Sequence, residues 1–269
     1  MIISPQGQFV IATPTKCGTT SLEHIAKRPS NVGKLEVCGP DLERALTAVS
    51  THSDGEYIHE LERQYGHLDS RRRQHRMAMP WGAQHYRPYL LTRNPYSRWV
   101  SVYEYLLSPR NYSQWGARAV QGSQWGAPDR PERSEFYGRD PLTFLQFLRW
   151  LRDQREEHGF KSKRRGKLKH SRAYRSPWVW LDPQSVSFAL LEQNSQQPVR
   201  LIRLEELDKR LEKVLKKHGV VGADINIPHA NKTDHKPWRD YWGEKELKMA
   251  RKLGVPEECE VLDYEELTW

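Results

Sequence analysis

The chain has 269 residues, with 43 Lys and Arg against 34 Asp and Glu and a formal net charge of +9. That length builds one substantial core without splitting, so a single domain over 1–269 is expected. No apolar run approaches the ~20 residues of a bilayer span, no charged-then-apolar leader opens the chain, and Cys17, Cys38 and Cys259 are an odd three without metal-ligand spacing; a soluble, cytoplasmic protein without a disulfide framework or metal site is expected.

In chain order, an apolar strand is expected at 8–13, stopped by Pro14, and a helix at 19–28. Between them Gly18 frees the backbone, and Thr19, Thr20 and Ser21 stand where the helix begins. Such a junction leaves N–H groups unpaired at the positive end of the helix dipole, and Lys16 adds an ammonium beside them. Donors of this kind converge on a tetrahedral anion such as phosphate or sulfate. A short strand at 34–38 and helices at 40–50 and 55–66 follow. A second strand-to-helix junction, YLLTRNPYSRWVSVYEYLL, then spans 89–107. There Asn94 can cap, Pro95 suits the first helical position, and Trp99, Val100, Tyr103 and Leu107 recur at helical spacing.

The Walker A motif places its lysine after the last glycine. Here Lys16 precedes Gly18, with Cys17 between. The string resembles instead the 5′-phosphosulfate loop of sulfotransferases that use 3′-phosphoadenosine 5′-phosphosulfate (PAPS). Arg93 and Ser101 likewise match the pair with which those enzymes grip the 3′-phosphate, a role that suits the planar, two-donor fork of arginine. A third, looser likeness to carbohydrate-type (family 2) sulfotransferases runs through RLEEL, IPHANKT and DYEEL between 198 and 267.

The resemblance implies in-line transfer of a sulfuryl group from PAPS to an acceptor hydroxyl, expected to be a glycan's. It requires no metal. Lys16 would stand near the bridging oxygen, and Lys16, Cys17, Gly18, Thr19, Thr20, Ser21, Arg93 and Ser101 would hold the donor, Cys17 through its backbone N–H alone. A general base is also needed. Glu36 lies at the offset where glycan and tyrosyl-protein sulfotransferases place a catalytic glutamate, and His67 and His75 lie where other sulfotransferases carry a catalytic histidine. His229 and Asn231 are expected to order a loop over the nucleotide.

Beyond a Trp- and Gly-rich loop at 108–138, a helix is expected at 141–158, introduced by Asp140 and Pro141 and ended by Gly159. A basic insertion at about 160–177, running from Lys161 to Arg175, then reads as a mobile loop, an electrostatic funnel for anions or a nucleic-acid patch. Strands at 186–192 and 199–203 and helices at 205–218 and 244–253 close the chain, the helices stopping at Gly219 and Gly254. Strands alternating with helices imply an α/β fold. Its central, mainly parallel sheet would carry a P-loop-like phosphosulfate loop and helices on both faces, with ligands at the strands' carboxyl ends. Two other readings compete: an atypical P-loop nucleotide kinase, which lacks a convincing magnesium-binding carboxylate here, and a basic nucleic-acid-binding protein.

Overall fold

A computed structural model describes residues 1–14, 16–37, 83–106, 143–157, 183–226 and 236–268. The expected helices at 40–50 and 55–66, the 108–138 loop, the basic insertion and His67, His75, His229 and Asn231 lie outside the described residues. One five-stranded sheet forms the centre. Its strands are β1 (Ile2–Ser4), β2 (Phe9–Ala12), β3 (Glu36–Val37), β4 (Arg87–Thr92) and β5 (Arg200–Arg203), in the spatial order β3-β1-β2-β4-β5.

The sheet is mixed rather than mainly parallel. β2, β4 and β5 run parallel, whereas β1 pairs antiparallel with both β2 and β3. The unforeseen strand is β1, which is only three residues long and folds back through a tight turn. In that turn Gln8 adopts a φ of 50° and its N–H donates to Pro5 O. β2 is buried along its whole length and β4 from Pro88 onward, which explains their nearly unbroken apolar sequences.

Helices cover both faces. On one, α1 (Thr19–Ala26) packs Leu22 and Ile25 against Ile2, Phe9 and Ile11. The same face receives Leu207, Leu211, Val214 and Leu215 from a second helix, Leu207–Lys217, and their i, i+4, i+7, i+8 spacing makes its buried stripe. On the other face Ile3, Val10, Ala12 and Leu90 pack beneath Leu191 and Leu262.

In chain order the remaining helices are α2 (Pro95–Leu106), α3 (Phe144–Glu157), α4 (Gln184–Asn194), α5 (the Leu207–Lys217 helix), α6 (Glu244–Lys252) and α7 (Val255–Val261). A third core joins Trp99 and Tyr103 of α2, Phe147 and Leu151 of α3 and Leu247 and Ala250 of α6.

Three further expectations need correcting. The 186–192 segment is helix α4, not a strand; Ser185, Val186, Ser187 and Phe188 alternate polar and apolar as a strand would, but Ser185, Val186 and Ser187 are all buried. A helix buried around much of its circumference loses the 3.6-residue signal. Helix α3 begins at Phe144, and its cap is Thr143. The Thr143 hydroxyl oxygen accepts from Gln146 N–H at 3.3 Å while Gln146 Oε1 accepts from Thr143 N–H at 2.7 Å, a capping box that Asp140 and Pro141 had obscured. Finally, 244–253 does not close the chain: Gly254, at φ 73°, ends α6 and at once starts α7.

At the amino ends of β2 and β4, His218 ties three elements together. Gly7 O can only accept, so His218 Nδ1 carries the proton and donates to it at 2.7 Å, leaving Nε2 to accept from Tyr89 OH at 2.9 Å. Burial pushes the imidazole below its ordinary value of 6.5, with the Gly7 carbonyl pulling the other way. A folded value below the unfolded one means that the unfolded chain takes up the proton first. Stability is therefore full above about pH 6.5 and declines as pH falls toward the lowered value. The thermal midpoint of the wild type is expected to drop more between pH 7.5 and 5.5 than that of His218→Gln; equal drops would contradict the assignment.

Candidate functional site

β2 and β4 are neighbours in register, with Ala12 opposite Leu90, so their carboxyl ends open side by side. From β2 the chain turns through Pro14, whose carbonyl accepts from Cys17 N–H at 3.1 Å, and enters α1 at Thr19. Two residues in this turn are left-handed: Lys16 at φ 67° and Gly18 at φ 82°. Leu204, at the end of β5, closes over Gly18. A methyl group built on Gly18 would lie 2.6 Å from Leu204 Cδ1. Thr19 uses its hydroxyl hydrogen on Thr13 O at 3.4 Å, Thr20 is exposed, and Ser21 is buried. As at any helix start, the first N–H groups of α1 precede its backbone ladder, which begins with Leu22 N–H on Gly18 O at 3.1 Å.

The β4 turn is held at nearly every backbone group. Arg93 N–H donates to Gln184 Oε1 and Arg93 O accepts from Gln184 Nε2, both at 2.8 Å. Asn94 N–H donates to Glu205 Oε1 at 3.0 Å, and Asn94 Oδ1 accepts from Ser97 N–H at 3.2 Å, which makes Asn94 the cap of α2 with Pro95 its first residue. The Arg93 guanidinium turns back toward β2. Its Nε donates to Ser97 Oγ at 3.0 Å and one terminal nitrogen to Lys16 O at 3.4 Å.

Two cations thus lie close together beyond the ends of β2 and β4. Burial, then the nearby Arg93 charge, lowers Lys16 to about 8, and burial likewise lowers Arg93. Packing like charges together against desolvation is unfavourable unless an anion enters between them. Beneath the turn Cys17 is fully buried, its S–H donating to Gln184 Oε1 at 3.0 Å, and burial pushes its thiol up to about 12. Its burial and raised value both argue against a nucleophilic role.

The two C-terminal strings meet the site from behind. Glu205 of RLEEL accepts from Asn94 N–H and also from Tyr264 OH of DYEEL at 3.0 Å, and Thr92 Oγ1 lies 3.2 Å from the same hydroxyl. Arg203 pairs with Asp263 at 2.7 Å while stacking over Tyr264. The two strand-to-helix junctions and the RLEEL and DYEEL strings therefore converge at one end of the sheet, while IPHANKT lies outside the described residues.

A family model described as Sulfotransferase family (Sulfotransfer_2) matches residues 1–237. The chain belongs to the sulfotransferase family. No curated protein and no solved structure gives a significant match. The family match includes the middle of the chain, where no motif was legible, and stops before the DYEEL tail of this sulfotransferase.

Of the expected site residues, Lys16 to Ser21 and Arg93 come together, although the Cys17 N–H expected to hold the donor is given to Pro14 O. Ser101 lies buried one turn beyond Ser97 on α2, about 6 Å along the helix. Glu36 does not join them. It sits on the outermost strand, β3, level with Ile3 of β1 and through it with Val10 of β2, about 10 Å from β2 at two strand spacings. Sequence reasoning missed Ser97, Gln184 and Glu258. Ser97 was legible in principle, one helical turn after Arg93. Gln184 was not, because its partners are 91 and 167 positions away. Among the described residues no helix is long and apolar enough to cross a membrane.

Gly18→Ala is expected to cost about 1–2 kcal/mol from its left-handed backbone alone, with Leu204 forced aside as well. Urea denaturation measures it, and Leu204→Ala in the same chain should recover only the steric part. Full recovery would show that φ carries no strain.

Proposed function

We propose that this sulfotransferase takes PAPS as its donor and transfers the sulfuryl group to an acceptor hydroxyl of a glycan. The observation that carries the reading is the approach of Lys16 and Arg93 across the open ends of β2 and β4, two part-buried cations with a helix N-terminus between them. An anion bearing two separate phosphate groups answers that arrangement: a 5′-phosphosulfate on the Lys16 turn and a 3′-phosphate on Arg93, with Ser97 and Ser101 beside it on α2. The family membership supports sulfuryl transfer. The glycan acceptor rests on the likeness of the RLEEL, IPHANKT and DYEEL strings.

In this reading the reaction breaks the bond between sulfur and the bridging phosphate oxygen and forms one to the acceptor oxygen. Lys16 and the N–H groups at the start of α1 offset the negative charge left on the phosphate, and this positioning and electrostatic work supplies most of the acceleration. The acceptor proton goes to a base drawn from Glu36, His67 and His75. Replacing that base is expected to lower kcat by about 10²- to 10⁴-fold without weakening donor binding. Three single variants, Glu36→Gln, His67→Asn and His75→Asn, decide among them, and three near-normal rates would remove all three.

Calorimetric titration with adenosine 3′,5′-bisphosphate, set against AMP and ATP with magnesium, tests the donor. Binding that requires the 3′-phosphate and is lost in Arg93→Ala is the expected result; a preference for ATP would overturn it. Lys16 adds a second signature. In the free protein it stands at about 8, and a bound anion raises it, so binding at pH 8 takes up about half a proton. Affinity correspondingly falls as pH rises through that value. The uptake appears as a dependence of the binding enthalpy on the buffer's ionisation heat and is absent in Lys16→Met.

A further inference from the structure

Gln184 is the first residue of α4, where a side chain ordinarily caps its own helix or faces solvent. It does neither. The α4 N-terminus is served instead by Glu258 of α7, whose buried carboxylate accepts Gln184 N–H at 2.6 Å. That leaves the fully buried Gln184 amide to point into the gap between the β2 and β4 turns.

Every hydrogen-bonding valence of the amide is used there. Oε1 accepts from Arg93 N–H at 2.8 Å and from Cys17 S–H at 3.0 Å; Nε2 donates to Arg93 O at 2.8 Å and to Glu258 Oε1 at 3.4 Å. Arg93 is thus gripped at both its N–H and its C=O, much as a strand neighbour would grip it, just beyond the point where the β4 ladder with β5 ends at Thr92. The other Oε1 bond ends on the residue next to Lys16. One planar group therefore fixes the distance between the two cation-bearing turns.

We propose that Gln184 is a positioning residue that holds the Arg93 turn in register with the Lys16 turn, and that the preference of the donor site for a 3′-phosphate depends on it. This deepens the PAPS reading and rests on it. If the amide shifts, the 5′ end of a nucleotide still meets Lys16 and the α1 N-terminus, but the Arg93 guanidinium no longer stands where a 3′-phosphate arrives. An apolar side chain of the same length would fill the space and leave the Arg93 peptide unheld.

The test is the ratio of dissociation constants for AMP and adenosine 3′,5′-bisphosphate, measured by calorimetry on the full chain. In Gln184→Met that ratio is expected to fall about tenfold or more, with AMP affinity itself near that of the wild type. Gln184→Glu keeps the size and the acceptor but loses the donor to Arg93 O, and it should lose preference in the same direction; it decides the matter alone if Gln184→Met fails to fold. Tyr89→Phe, which removes the hydroxyl bonded to His218 at the opposite end of the sheet, serves as the control. It should lower the thermal midpoint and leave the ratio unchanged. Gln184 variants that lower only the thermal midpoint and keep the wild-type ratio overturn the inference while leaving the donor reading intact. A wild type with no 3′-phosphate preference overturns both.

Discussion

The parallel pairing of β2 with β4, Ala12 opposite Leu90, is the constraint on which the site depends. It sets the end of β2 beside β4 about 4.8 Å away, two residues short of the end of β4 at Thr92, so the turns that follow the two strands run side by side and bring two basic residues close together. Here they are Lys16 and Arg93. Hydrophobic burial holds the strands together strongly enough to impose this contact, since Ile11, Leu90 and Leu91 are fully buried between two helical layers. The core thus supplies the free energy that keeps two cations close in a part-buried setting, and a ligand anion can draw on the arrangement without having to create it.

Around that pair the remaining charges are ordered by distance. Carboxylates stand behind the turns: Glu205 on Asn94 N–H and Glu258 on the α4 N-terminus. Each accepts from backbone donors at or beside a helix start, where a negative charge is favourable. Glu205 also partly offsets the Arg93 charge through space, so the acidic groups both brace the backbone and temper the field of the cations they stand behind.

How much of this could be read in advance follows from the range of each interaction. The two strand-turn-helix junctions were legible because Pro14, Gly18, Asn94 and Pro95 act within a few residues of themselves, and their roles in the turn and cap are the expected ones. Helix α5 and its stop at Gly219, which takes a φ of 68°, were legible for the same reason. Helix α4 was misread because burial around it replaced a helical stripe with an alternation that sheets also show. The β1 hairpin was missed because three residues carry too little pattern. Mixed sheet topology and the Gln184 bridge depend on which distant segments meet, and spacing within one sequence encodes neither. The three strings carrying the family likeness gave a partial substitute, since motifs that serve one site must converge wherever they lie along the chain.

The Cys17–Gln184 and Thr92–Tyr264 contacts span 167 and 172 positions. Closing loops of that size is entropically slow, so such contacts tend to form late in folding. During synthesis the Lys16 turn emerges early and waits, its glycine uncovered until Leu204 arrives and its neighbouring turn unbraced until Glu205, Glu258 and Tyr264 are made. A nascent chain would therefore carry the cationic residues long before it could arrange them. The two cationic turns would take their final arrangement only when α7 docks, coupling the formation of the site to segments far downstream of it.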